Sequence, residues 1–288
     1  MSDIYIDKER ARCAFSRSAG TYDDAAVLQR EVSRRMLERL DLVKLEPRAV
    51  LDLGCGTGEQ AGHLLQRYPK AAVHALDFAL PMLDLARKKG RWLRRPRCIC
   101  GDMEHLPLAD DSLDLICSNL AFQWASDPLQ LYRECLRVLR PGGLLMFTTF
   151  GPDTLQELRS AWAAVDDDAH VSPFMDMHDL GDILVNSGYA APVMDVERIV
   201  LTYARVDDLM SDLKNIGARN ATSKRPRGLT GKARMQAMRE AYEGFRCDGV
   251  LPATYEVVYG HAWAPAQKSH AGDVSVPLNM LDKQGRVS

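Results

Sequence analysis

Gly54, Gly56 and Gly58 stand at alternate positions in LDLGCGTG, residues 51–58, directly after an apolar run. Glycines there let the backbone turn sharply and come close to a ligand. A strand, a glycine loop and a helix start together make an anion- or nucleotide-binding corner. The dinucleotide pattern GxGxxG would need glycine at 59, where the chain has Glu59. The spacing is GxGxG, which alone also describes a tight strand-to-helix turn. Further features fall in register with it. Asp77 ends the second apolar run, where an acid can accept hydrogen bonds from ribose hydroxyls. Asp102 follows the third run with Met103 beside it; an acid there can bind an adenine amino group, and a methionine can pack on the ring. Asn119 and Leu120 end the fourth, on the carboxyl edge where open sheets hold ligands. Any one of these could be a cap or turn residue. Together they form a nucleotide-binding constellation.

These positions are strand ends if the surrounding runs are strands. RAVLDL, AVHALD, RCICGD, LDLICSN and LLMFTTF read as five strands. Helices separate them, from about Gly58 to Tyr68, over ALPMLDLARKK, and from Pro128, with Asp127 as N-cap and RPGG as the stop. Continuously apolar strands mean a sheet covered on both faces. The expected fold is therefore α/β, a Rossmann-like, doubly wound, mostly parallel sheet. Residues 1–46 predict N-terminal lid helices, with YDDAAVLQREVSRRMLERL as one helix. Residues 47–150 are the core. Residues 151–250 predict a helical cap with acceptor-binding insertions and a further core strand near 193–203. Residues 251–263 are the final core strand, and 264–288 a loosely held tail.

Composition narrows the class. The chain is 46% hydrophobic with a net charge of -2, so it can bury a core and has no global field for nucleic acid; any basic site must be local. Seven scattered cysteines without a CxxC pair predict a reducing compartment and no metal site. The charged N-terminus and the lack of a long apolar run predict a cytoplasmic protein with no membrane partner.

VLDLGCGTG, LDF, GDMEHLPL and LRPGG resemble the class I S-adenosylmethionine-dependent methyltransferases over residues 48–150. The resemblance implies that Gly54, Gly56 and Gly58 pack against the methionine moiety and ribose. It implies that Asp77 holds the ribose hydroxyls, Asp102 with Met103 the adenine, and that Asp52 sits near the methionine amino group. Phe78 and Asn119 complete the set, and Tyr22 and Gln29 lie on a lid helix able to close over the cofactor.

AFSRSAGTYDDAAVLQ, SNLAFQW, FGPDTLQELRSAW, DLKNIGARNA, RGLTGKAR and PATYEVVYGHAW together resemble the malonyl-acyl carrier protein O-methyltransferase family, from about residue 8 to Trp263. That resemblance implies methylation of the free malonyl carboxylate on acyl carrier protein, an early step of biotin synthesis. Carrier proteins are acidic, and Lys214, Arg219, Lys224, Arg225, Arg227, Lys232 and Arg234 form a run with no acidic residue among them. The same run could be a solvated loop or an RNA contact, but no aromatic residue interleaves it, which weakens single-stranded nucleic-acid binding. A malonyl carboxylate is already ionised, so no general base is needed; alignment and partial desolvation are. Arg17, Tyr22, Trp124, Arg225 and Arg227 are the candidates for holding the carboxylate or lining the acceptor pocket. His178 and His261 read as structural. Two other readings keep the cofactor residues: an O-methyltransferase for a small-molecule carboxylate, and a respiratory-complex assembly factor that transfers no methyl group.

Overall fold

A computed structural model describes residues 6–218, 220–222 and 230–267. Its strands are β1 Ala49–Leu53, β2 Ala72–Asp77, β3 Arg97–Cys100, β4 Leu113–Ser118, β5 Leu139–Phe150, β6 Ala190–Tyr203 and β7 Leu251–Trp263. They form one sheet in the order β3-β2-β1-β4-β5-β7-β6. The first five run parallel, and β7 is antiparallel to both β5 and β6. This is the doubly wound, mostly parallel α/β sheet that the sequence predicts.

Alternation along the strands explains the two-sided core. Val50, Leu115 and Cys117 belong to one face of the sheet, Leu51, Leu53 and Ile116 to the other, and all are fully buried. The helices are α1 Lys8–Ser18, α2 Tyr22–Ala25, α3 Val27–Arg39, α4 Glu59–Arg67, α5 Leu80–Ala86, α6 Pro128–Val138, α7 Gln156–Ala163, α8 Met177–Asn186, α9 Val206–Asn215 and α10 Lys232–Glu243. α3, α4, α5, α7, α9 and α10 contribute to the first face, α6 and α8 to the second. Asp127 caps α6 by accepting from Gln130 N at 3.0 Å, as the sequence predicts.

Two local expectations are corrected. The single N-terminal helix is broken at Ala26 (φ -80°, ψ 44°), separating α2 from α3. The break lets Tyr22 reach the glycine loop while Leu28, Val32 and Met36 of α3 pack on the sheet. The α6 helix does stop at Val138, just before RPGG, but the fifth strand starts earlier than LLMFTTF: RPGG lies inside β5, where the pairing register with β4 shifts between Leu113 and Leu115. At the other end, Ala264 is buried and exchanges backbone hydrogen bonds with Gly142 and Gly143; residues 268–288 lie outside the described residues. No described helix is long and apolar enough to cross a membrane.

Candidate active site

The glycine loop is fastened before any ligand arrives. Gly54 N and Cys55 N both donate to Leu76 O, at 2.8 and 3.0 Å, tying the end of β1 to β2. Gly54 has φ +73°, and a Cβ there would lie 2.3 Å from Ala121 Cβ. Gly58 packs the start of α4 on α5, with Ala86 Cβ 2.6 Å from the position its own Cβ would take, and does not line the cleft. Gly56 differs from both. The atoms closest to its missing Cβ are those of the Tyr22 ring at 3.9 Å, and it faces open space.

Asp77 braces this turn. Its Oδ2 accepts from Gly56 N (2.9 Å) and its Oδ1 from Ala79 N (2.8 Å). Burial raises its pKa to about 6, against the pull of these N–H groups. Phe78 N–H also bonds the carboxylate, which leaves one of its lone-pair positions for a further donor. Around it opens a cleft of about 620 Å³, lined by Gly54, Gly56, Phe78, Asp102, Met103, Asn119, Leu120 and Trp124. Leu120 holds a left-handed conformation (φ 49°), fixed by Thr148, whose backbone oxygen and hydroxyl both accept from Leu120 N. Asn119 ties the strand end to the lid, donating to Gln29 O at 2.9 Å.

Asp52 is the unusual group. Its Oδ1 accepts from Gln60 Nε2 at 3.0 Å, and its Oδ2 is buried with no hydrogen-bond partner among the described residues. Burial, and the charge of nearby Asp77, raise its pKa to about 7 despite opposing bonds from Ala61 N–H and Gln60. It lines a recess shared with Tyr22, Gln29, Gly56 and Asn119. A buried, unpartnered carboxylate oxygen calls for a cation. Tyr22 cannot supply one; burial first, and then Asp77 and Asp23, push its phenol pKa up, so it stays a neutral donor.

Helix α1 forms the outer wall, which the sequence did not disclose. Phe15 packs edge-on to Trp124 (5.1 Å) and tilted on Phe78 (6.0 Å). Lys8 Nζ bonds Asp102 Oδ2 and Glu104 Oε2, each at 2.7 Å. Burial disfavours ionised Asp102, but the Lys8 bond outweighs it and holds the pKa below the usual carboxylate range. The pair is partly exposed and contributes about 1 kcal/mol at most. Lys8→Met is therefore expected to speed dissociation of a bound nucleotide about fivefold, with little change in melting temperature; stopped-flow fluorescence of Trp124 measures it.

A second space opens off the cleft across Phe15, Tyr22, Leu120 and Trp124. It spans about 1080 Å³, open to solvent, and is mainly apolar, with Leu28, Phe150, Leu155, Leu158, Phe174 and Leu213 in its wall. Of the acceptor candidates, Tyr22 and Trp124 stand at this junction. Arg17 is exposed on the outer side of α1, in a depression with Arg10 and Lys214. Arg225 and Arg227 lie outside the described residues, as do Arg219 and Lys224. Arg234 pairs with Asp166 and Asp168, and Lys232 is exposed. His178 is exposed and bonded to Asp176, and His261 is half-buried within β7.

S-adenosylmethionine fits on two observations: the orphaned Asp52 oxygen suits its cationic methionine end, and the space over Gly56 is one a Cβ would fill. Comparison with known proteins agrees. A family model described as a methyltransferase domain matches residues 51–147. The YcgJ protein of Bacillus subtilis shares the fold, with a TM-score of 0.55 at 20% identity over 80% of this chain and 97% of that one. A malonyl-acyl carrier protein O-methyltransferase of Laribacter hongkongensis (strain HLHK9) is 56% identical over 273 residues, 92% of each chain. One from Methylovorus sp. (strain MP688) is 54% identical over 285 residues, 96% of each. With such identity along nearly its whole length, and with the glycine turn, strand-end acids and orphaned carboxylate in place, the chain belongs to the malonyl-acyl carrier protein O-methyltransferase family of S-adenosylmethionine-dependent enzymes.

Proposed function

We propose that the protein transfers the methyl group of S-adenosylmethionine to the free carboxylate of malonyl-acyl carrier protein. The observation that carries this reading is the apolar cavity joined to the nucleotide cleft through Tyr22, Leu120 and Trp124. A fold of this kind hosts many acceptors, so the acceptor must be argued from that cavity and from kinship.

The co-substrate brings a methyl group on a cationic sulfonium. A carboxylate oxygen attacks the methyl carbon in line; the O–CH₃ bond forms, the C–S bond breaks, and the electron pair stays on sulfur. No proton moves. Asp52 neutralises the cationic end, Asp77 and Gly56 seat the ribose, and Asp102 with Met103 seats the adenine. Tyr22 and Trp124 press carboxylate and methyl together and exclude water.

For docking of the acidic carrier, the basic run from Lys214 to Arg234 remains the proposed surface, minus Arg234, which Asp166 and Asp168 already engage. Arg10 and Arg17 extend it, because they line one depression with Lys214 beside Ala221. Reversing Arg225 and Arg227 to glutamate is expected to weaken carrier binding about tenfold and leave S-adenosylmethionine affinity unchanged. Surface plasmon resonance at two salt concentrations measures it, and equal binding by both proteins removes the docking surface.

Mass spectrometry of malonyl-acyl carrier protein after incubation with enzyme and S-adenosylmethionine tests the reaction. One added methyl on the malonyl arm, absent with acetyl-acyl carrier protein, is the expected result. No gain from a protein that binds the co-substrate would favour a small-molecule acceptor or an assembly role.

A further inference from the structure

An ionised carboxylate entering a largely apolar cavity needs a countercharge or donors. Among the described residues lining the cavity there is no lysine or arginine. Lys8 lines only the nucleotide cleft, where Asp102 and Glu104 hold it. The described lining group that can become a cation is His170.

His170 is built in rather than incidental. Its side chain is 10% exposed, and its Nε2 lies 2.8 Å from Asp166 Oδ1. Its ring lies flat on Trp162, with centroids 3.7 Å apart and planes 8° from parallel. Asn220 Nδ2 donates to Ala169 O, at 2.5 Å, and so fixes the backbone just before it. With Nε2 engaged, Nδ1 has no hydrogen-bond partner among the described residues. A carboxylate thus stands behind the ring and an indole face lies against it.

The surrounding charges are few. Arg234 of α10 approaches Asp166 and Asp168 at 3.5 and 3.7 Å. Asp166, Asp168 and His170 have ligand atoms within 4.8 Å of one another, the spacing of a metal site, but Arg234 already supplies the positive charge there. Asp212 of α9 also lines the cavity and is hydrogen-bonded by Tyr203 of β6.

We propose that His170, backed by Asp166 and stacked on Trp162, is the cationic group that recognises the free carboxylate of the acceptor, with Nδ1–H as the donor. The proposal rests on the carboxylate-methylation reading. It supplies specificity for an acyl chain ending in a carboxylate over a plain acyl chain. It also gives the product a reason to leave: the methyl ester carries no charge for the imidazolium to hold.

Binding of malonyl- and acetyl-acyl carrier protein to the cofactor-free enzyme, by calorimetry, separates this proposal from the reaction itself. Wild type is expected to prefer the malonyl form by about tenfold or more. His170→Gln is expected to bind the two forms alike, with S-adenosylmethionine affinity unchanged. His170→Lys, a fixed cation, is expected to restore part of the preference, and kinetics should show the His170→Gln loss mainly in KM. A malonyl preference that survives His170→Gln overturns the proposal, and so does a loss that lysine fails to rescue. Should His170→Gln fold poorly, Asp166→Asn keeps the ring and removes its supporting charge. A severalfold weaker preference is then expected, and an unchanged one overturns the proposal equally. Methylation by wild type is scored independently, so a working enzyme with an indifferent His170 refutes only this assignment.

Discussion

Asp52→Asn is expected to make the cofactor-free protein more stable at pH 8 and to weaken S-adenosylmethionine binding about a hundredfold. Both effects follow from one buried carboxylate with an unpartnered oxygen. Its folded pKa, about 7, lies above the ordinary aspartate value of 3.8, so the folded state holds a proton that the unfolded chain releases. The stabilising contribution is complete below about pH 4 and is lost as pH rises through 7. Three pK units correspond to about 4 kcal/mol, an upper figure because Asp77 titrates beside it. Asparagine has no charge to desolvate. The variant should therefore melt above wild type at pH 8, and the gap should narrow as pH falls through 7 and close only below about pH 4. For binding the sign reverses. The cationic end of the co-substrate needs the ionised carboxylate, and losing that charge-assisted contact costs up to about 3 kcal/mol, roughly a hundredfold. Wild-type affinity should fall tenfold per pH unit below about 7, and the variant should be flat. Calorimetry from pH 5.5 to 8.5 decides it: a flat wild-type profile would mean that Asp52 does not face the bound cation.

Gly54→Ala and Gly56→Ala are expected to fail in different ways. At Gly54 a methyl group meets Ala121 Cβ at 2.3 Å, and neither carbon has a rotamer to escape into. Overpacking of this kind costs about 1–3 kcal/mol, and the left-handed backbone adds about 1 more. The variant should lose both stability and detectable binding. At Gly56 the protein has room, with Tyr22 at 3.9 Å, so only the left-handed strain at φ +51° remains. Its melting temperature should drop by a few degrees, yet the new methyl projects into the cleft, and binding should weaken more than tenfold. Thermal denaturation with and without S-adenosylmethionine separates the two. A Gly56→Ala protein that binds normally would show that the co-substrate does not approach this turn.

The sheet and the strand-end acids were legible because parallel strands leave continuous apolar runs, and their carboxyl ends share one edge. Asp127 as a cap and Asp77 beside the glycine turn follow from such local rules. Helix α1 was legible only as part of the lid prefix, not as a wall of the cleft. KERARCAFSRS has only Ala11 and Ser18 fully buried, and no apolar stripe marks its inner face. Phe15 and Lys8 matter through partners far along the chain. The cavity was hidden for the same reason: Leu28, Leu155, His170 and Leu213 come from separate segments that no single period connects. His170 sits in an aperiodic loop, and the stack on Trp162 that singles it out is a tertiary fact.

The attachment of α1 also bears on how the molecule comes into being. Lys8 bonds a residue 94 positions away, Thr21 one 194 positions away, and Asp7 N donates to Ala221 O. Although α1 precedes the sheet in the sequence, two of these three contacts are made only with residues as far along as Asn215 and Ala221. A nascent chain ending after β5 holds every strand of the parallel sheet and every residue lining the nucleotide cleft, but lacks the Asn215 and Ala221 anchors beside α1.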